Sequence, residues 1–143
     1  MALQYLVTID CARPEALASF WRSLLGYADK AAPDGFESRW EYLRSLGLTQ
    51  EEIDSGAHAV DPDGILPRIY FQQVPEEKVV KNRVHLDIVV VPDGADEATT
   101  WAALRSAAQR AIDIGATHLN DSDDPEDPFV VLADPEGNEF CLV

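Results

Sequence analysis

Chemistry in this chain starts from the stretch Asn82-Arg83-Val84-His85-Leu86-Asp87-Ile88-Val89-Val90-Val91. It alternates like a strand, so Val84, Leu86, Ile88 and Val90 fall on one face and Arg83, His85, Asp87 and Val89 on the other. An imidazole titrates near neutrality, and a carboxylate on the same face suits it to general acid or base work. The i, i+2 spacing of about 6.5–7 Å along a strand makes direct contact between His85 and Asp87 marginal, and a cross-strand partner is an equal expectation. Glu139 and Cys141 share a face of the last apolar stretch. Glu139, like Asp10, offers a carboxylate to a cationic or polar group. Cys141 as a nucleophile needs an electropositive, base-assisted setting, and only His85 is expected near it, so the thiol reads as small and half-buried. Trp40, beside Phe36, could stack on an aromatic ligand, since aromatic pairs add roughly 0.5–1.5 kcal/mol beyond burial. His58 and His118 lie in weaker patterns and read as surface residues.

The elements that must position these groups follow from periodicity. Leu3 to Asp10 alternates as a strand. Pro14 opens a helix in which Leu17, Phe20, Trp21 and Leu24 recur at i, i+3, i+4 and i+7 until Gly26. Residues 27–31 suit a short strand. The less regular stretch 36–56 holds Trp40, Leu43 and Leu46 at helical spacing, then Thr49-Gln50-Glu51-Glu52 as a capping box, and reads as a helical insertion. Ala57 to Asp61 and Arg68 to Val74 are strands around an Asp61-Pro62-Asp63-Gly64 turn. After the His85 strand, Asp93 or Asp96 caps a helix carrying Trp101, Leu104, Ala108, Ala111 and Ile112 to Gly115. Ala116 to Asn120, Phe129 to Ala133 and Glu139 to Val143 are strands, the last pair joined by Asp134-Pro135-Glu136-Gly137-Asn138. The two halves repeat one plan. The expectation is an α+β fold of two βαβββ modules, residues 1–76 (insertion 36–56) and 82–143, with a curled mixed sheet around a cleft.

The chain has 143 residues, 26 acidic against 11 basic, and a formal charge of −15. Such a charge repels a phosphate backbone and anionic lipid, so neither nucleic acid nor membrane is expected as a partner. No apolar run reaches spanning length and the start lacks a secretory pattern, which places the expectation in the cytoplasm. Cys11 and Cys141 are too few for a disulfide framework. The run Asp121 to Asp127 lacks the spaced ligands and glycine of a calcium loop and reads as an exposed acidic loop.

Phe20-Trp21-Arg22-Ser23-Leu24-Leu25-Gly26, Val74-Pro75-Glu76-Glu77-Lys78-Val79-Val80-Lys81-Asn82-Arg83-Val84-His85-Leu86-Asp87 and Asp134-Pro135-Glu136-Gly137-Asn138, in this order within the repeated plan, resemble the glyoxalase-like branch of the vicinal oxygen chelate (glyoxalase/bleomycin resistance/dioxygenase) superfamily. The resemblance implies a metal shell at the positions of Leu6, Tyr70 or Gln72, His85 and Cys141. Only His85 is a standard ligand there, so no cofactor is expected and a divalent ion is disfavoured. It further implies a homodimer. The expected function is binding of a small polar organic molecule by Leu6, Trp40, Tyr70, Gln72, His85, Asp87, Glu139 and Cys141. The alternatives are a lyase or isomerase using His85 as acid/base with Asp87, and a metal-dependent glyoxalase or dioxygenase.

Overall fold

The computed structural model describes all 143 residues. The chain divides into two compact units, Met1–Glu77 and Lys78–Val143.

Unit one runs β1 (Val7–Cys11), α1 (Pro14–Leu25), α2 (Arg39–Ser45), α3 (Gln50–Asp54), β2 (Gly56–Ala59) and β3 (Ile69–Gln73). Its sheet has the order β1-β3-β2, with β1 parallel to β3 and β2 antiparallel to it. A single antiparallel bridge, Ala28 to Val60, stands where residues 27–31 were expected to form a strand. Helix α1 forms where its pattern predicts. Pro14 sits in the first turn, where its missing N–H costs nothing, and Gly26 ends the helix at φ 70°, a left-handed conformation that an L side chain would strain. The helix buries Leu17, Ala18, Phe20 and Trp21. Against them the sheet presents Ala57, Ala59, Ile69 and Phe71, all buried. Each such large side chain contributes about 1.5–3 kcal/mol when fully buried. The insertion folds as two short helices. In α3 Thr49 and Glu52 complete the capping box in both directions, and Ile53 points inward at 2% exposure.

Unit two runs β4 (Asp87–Ile88), α4 (Glu97–Asp113), β5 (Thr117–Asp121), β6 (Val130–Ala133) and β7 (Glu139–Leu142), with sheet order β4-β7-β6-β5. The strand next to the first is again the last in sequence and parallel to it. The repeat is thus real at the level of topology: Thr8 pairs with Tyr70 in β1 and β3 as Asp87 pairs with Cys141 in β4 and β7. Asp96 caps α4 by accepting from Thr99 N–H at 2.8 Å, which resolves the choice between Asp93 and Asp96. The buried stripe of α4 is Thr100, Leu104, Ala107, Ala108 and Ala111. Trp101 is only half-buried, with the Arg105 guanidinium 5.6 Å from its ring, and Ile112 is exposed. The inward stripe is set one residue away from both, because small alanines let the helix approach β5, β6 and β7 closely. Phe140 and Leu142 fill the sheet side of that core.

The expected ten-residue strand around His85 contracts to Asp87–Ile88. The ladder bonds Cys141 N–H to Leu86 O and Val143 N–H to Ile88 O flank it, and Leu86, Ile88 and Val90 do keep the alternation as half-buried residues. Val84 is 80% exposed, because β7 provides no partner that early in the segment. No helix is long and apolar enough to cross a membrane.

Candidate functional site

The face of the unit-two sheet opposite α4 gathers His85, Asp87, Glu139 and Cys141 of the candidate site residues. Register pairs Asp87 with Cys141 and Cys141 with Val131, so these three side chains stand on one face while Phe140 and Leu142 point to the core. That register is fixed by the Asp134-Pro135-Glu136-Gly137-Asn138 turn. The Asp134 carboxylate accepts from Glu136 N–H at 2.9 Å and Asn138 N–H at 3.0 Å, and Gly137 takes a φ of 84°. The motif is therefore a register device: it sets which residues of β6 and β7 meet.

On this face lies a pocket of about 370 Å³ lined by Lys81, His85, Asp87, Asp127, Phe129, Val131, Glu139, Cys141 and Val143. His85 and Asp87 are in direct contact, Nδ1 to Oδ1 at 2.9 Å. The marginal spacing expected along a strand does not apply, because His85 precedes β4 and its backbone is not held to the strand rise. A carboxylate only accepts, so Nδ1 is the donor in this contact and Nε2 is left outside it. Cys141 Sγ lies 4.0 Å from the same Nδ1.

Burial raises the Cys141 pKa first, the Asp87 charge and a hydrogen bond to Asp87 raise it further, and Lys81 opposes them. The thiol is protonated at neutral pH and is a poor nucleophile. Glu139 behaves oppositely: Asn82 N–H at 3.0 Å, followed by its own backbone N–H and Lys78, hold its pKa down against partial desolvation. Its carboxylate pairs with Lys78 Nζ at 3.2 Å, and Asn82 Nδ2 donates to its carbonyl at 3.3 Å. Glu139 lines the pocket and also ties the segment before His85 to β7.

Donor atoms of His85, Asp87 and Cys141 all lie within 4.8 Å of one another. They do not fit the oxygen-rich octahedral ion that the resemblance implies. His85 Nδ1 is already engaged by Asp87, the thiol resists ionisation, and a shell of this kind would need further donors. No chemical step is routed through a metal here.

The remaining sequence-derived candidates belong to unit one. Leu6 is 59% exposed just before β1, Gln72 is exposed on β3, and Trp40 is half-buried in α2, where Phe36 contacts Tyr42 rather than a free aromatic face, ring centroids 5.2 Å apart. Tyr70 is half-buried on the sheet face opposite α1, its ring edge-on to His58 at 5.0 Å. His58, expected at the surface, is 9% exposed. All four residues of β2 are buried, Ala57 and Ala59 on the helix side and His58 on the other. The only sequence signal for this was the small Gly56-Ala57-His58-Ala59 run, which admits cover on both faces. Burial is also the main cause that lowers the His58 pKa to about 4, with Arg39, Lys30 and Arg68 adding to it and Asp29 opposing.

No curated protein matches this chain in sequence. Among solved structures, an enzyme of the glyoxalase/bleomycin resistance protein/dioxygenase family from Burkholderia phytofirmans PsJN is similar, with 17% identity and a TM-score of 0.60 over 96% of this chain and 94% of that one. The fosfomycin resistance protein FosX from Mesorhizobium loti gives 11% identity and 0.60 over 99% and 91%. A mutant FosX from Listeria monocytogenes, complexed with Mn(II) and 1S,2S-dihydroxypropylphosphonic acid, gives 7% and 0.64 over 99% and 91%. At these identities the likeness is one of fold. The family model for the glyoxalase-like domain matches residues 6–143. With nearly every residue matched, the chain belongs to the glyoxalase-like domain family.

Proposed function

We propose that the unit-two pocket binds a small polar organic molecule without a resident metal. The observation that carries this reading is the convergence of His85, Asp87 and Cys141 on one wall of a pocket of about 370 Å³ whose other lining includes Phe129, Val131 and Val143. Apolar walls with a few fixed polar groups are what small-molecule sites present, and the volume falls in the usual range of roughly 300–1,000 Å³. Asp87 fixes the imidazole tautomer, so Nε2 accepts a hydrogen bond from the ligand while the protonated Cys141 thiol offers a weak donor. Ligand-induced stabilisation tests this. Metal-free protein is screened by thermal shift against thiol-adducted aldehydes, pterins and cationic antibiotics; a compound at a hundred times its dissociation constant stabilises by about 2.7 kcal/mol. The shift disappears in His85→Ala. A screen with no stabiliser, or one whose stabiliser acts equally on His85→Ala, overturns the reading.

The 2.9 Å contact between His85 and Asp87 also favours a second reading, a lyase or isomerase. Nε2 would take a proton from the bound molecule, and the ionised Asp87 would stabilise the resulting imidazolium. Conversion of the bound compound by wild type and its loss in His85→Gln separates catalysis from binding. The resemblance further supports a homodimer. Unit one supplies apolar surface for pairing, since Leu3, Tyr5, Leu6, Ile65 and Leu66 are all more than half exposed around one open recess.

A further inference from the structure

The face of the unit-one sheet opposite α1 holds charges that the pocket of unit two does not use. Pairing of His58 with Tyr70 puts both side chains on that face, and Arg68, two residues before Tyr70, shares it. The isolated antiparallel bridge between Ala28 and Val60 brings the segment of Lys30 beside the end of β2, where the Lys30 charge acts on His58. Arg39 begins α2 in the insertion. In a chain with 26 acidic and 11 basic residues, each of these cations would be expected to find a carboxylate. None does. Asp29, the acid next to Lys30, acts on His58 against these cations but is itself engaged by Arg22 of α1 at 3.7 Å and by Lys30 N–H at 2.7 Å.

Two buried polar atoms complete the pattern. Arg39 Nη1 and His58 Nδ1 are both sealed from solvent and neither has a hydrogen-bond partner. A folded chain rarely leaves buried donors unmet, because the loss of hydration is not returned. Beside them, the Tyr70 side chain occupies the space a Cβ at residue 56 would need, its Cζ 2.8 Å from that position, so Gly56 is what allows the phenol to lie here. Lys30 and Ala28 are exposed, which leaves an approach from solvent along the edge of the face.

We propose that the His58 face of unit one is an anion site, taking the carboxylate or phosphate group of a small molecule between Arg39, Lys30 and Arg68, with the neutral His58 ring as a hydrogen-bonding wall. Guanidinium groups match planar or tetrahedral oxyanions with two donors, and a lysine adds a point charge. The same three cations also disfavour protonation of His58, as a site of positive potential would. An anion delivered here would satisfy the buried Arg39 donor and offset charges that no side chain of the protein offsets.

Calorimetric and NMR titrations of the full chain with inorganic phosphate, acetate and chloride at constant ionic strength test this. The expected result is saturable binding of one phosphate or one acetate, with chloride silent, and with shift changes centred on His58 and Tyr70. The stronger of phosphate and acetate names the group. Arg39→Gln weakens binding about tenfold or more, the loss of one charge-assisted hydrogen bond. Lys30→Gln, at an exposed position that does not endanger folding, weakens it less but measurably. Arg44→Gln, on the exposed side of the same helix, leaves it unchanged. Absence of saturable binding, shifts centred elsewhere, or equal affinity in Lys30→Gln and wild type overturns the site.

Discussion

At the scale of single residues, Asp87 acts on two neighbours at once. It holds the proton on His85 Nδ1 and raises the pKa of the Cys141 thiol, second only to burial in that effect. The sign is testable. Alkylation of Cys141 by iodoacetamide is expected to be slow at pH 7 and to rise with an apparent pKa above that of a free cysteine; Asp87→Asn removes the charge, lowers that pKa and speeds the reaction. Cys11, at 3% exposure, stays silent in the same assay. His58 gives a second pH signature. Its pKa is about 4 in the fold against 6.5 for a free histidine, so the unfolded chain takes a proton across that window and the folded chain does not. The contribution is present in full above pH 6.5 and is lost as pH falls through about 4. Denaturant melts of wild type and His58→Gln between pH 7 and 4 are expected to diverge, the wild type losing more stability.

At the scale of elements, both units place their chemistry by the same rule: a helix seals one sheet face and the other is left for polar groups. Gly56 shows how narrow the allowance is. Any side chain there meets the Tyr70 ring, so Gly56→Ala is expected to cost about 1–3 kcal/mol by denaturant unfolding and to push Tyr70 off His58. The two short insertion helices depend on local bonds more than on burial. Thr49→Ala removes the Oγ1 acceptor for Glu52 N–H while the backbone N–H of residue 49 still reaches the Glu52 carboxylate, and is expected to cost about 1 kcal/mol. That Thr49 pattern was readable directly, because a capping box is satisfied within four residues. The strand around His85 was not readable at full length. Its alternation is real from Leu86 to Val90, but strand structure needs a partner, and β7 offers one only at Asp87 and Ile88. For the same reason the stripe of α4 shifted off Trp101: which alanines approach the sheet depends on the sheet.

At the scale of the whole molecule, the His85, Asp87 and Cys141 cluster, with its imidazole engaged by Asp87 and its thiol pKa raised, makes a prediction about metal. Chelator treatment is expected to leave the melting temperature unchanged, and elemental analysis of purified protein to find no stoichiometric ion; bound iron, nickel or zinc at one per chain would refute the donor argument. Light scattering is expected to give twice the chain mass of 15.8 kDa, and Leu6→Asp with Leu66→Asp to shift it to the monomer.

The order of strands and helices, the repeat and the family are all written in local pattern: alternation, helical spacing, Thr49, Gly26 and the Asp134 to Asn138 turn each specify structure through bonds to near neighbours. Only the tertiary structure decided that Asp87 touches His85, that Glu139 answers Lys78 and Asn82, and that His58 is buried where the cations Arg39, Lys30 and Arg68 outweigh Asp29. Those facts depend on which residues meet across strands or from an insertion, and on the burial that results. No short window of sequence holds both partners.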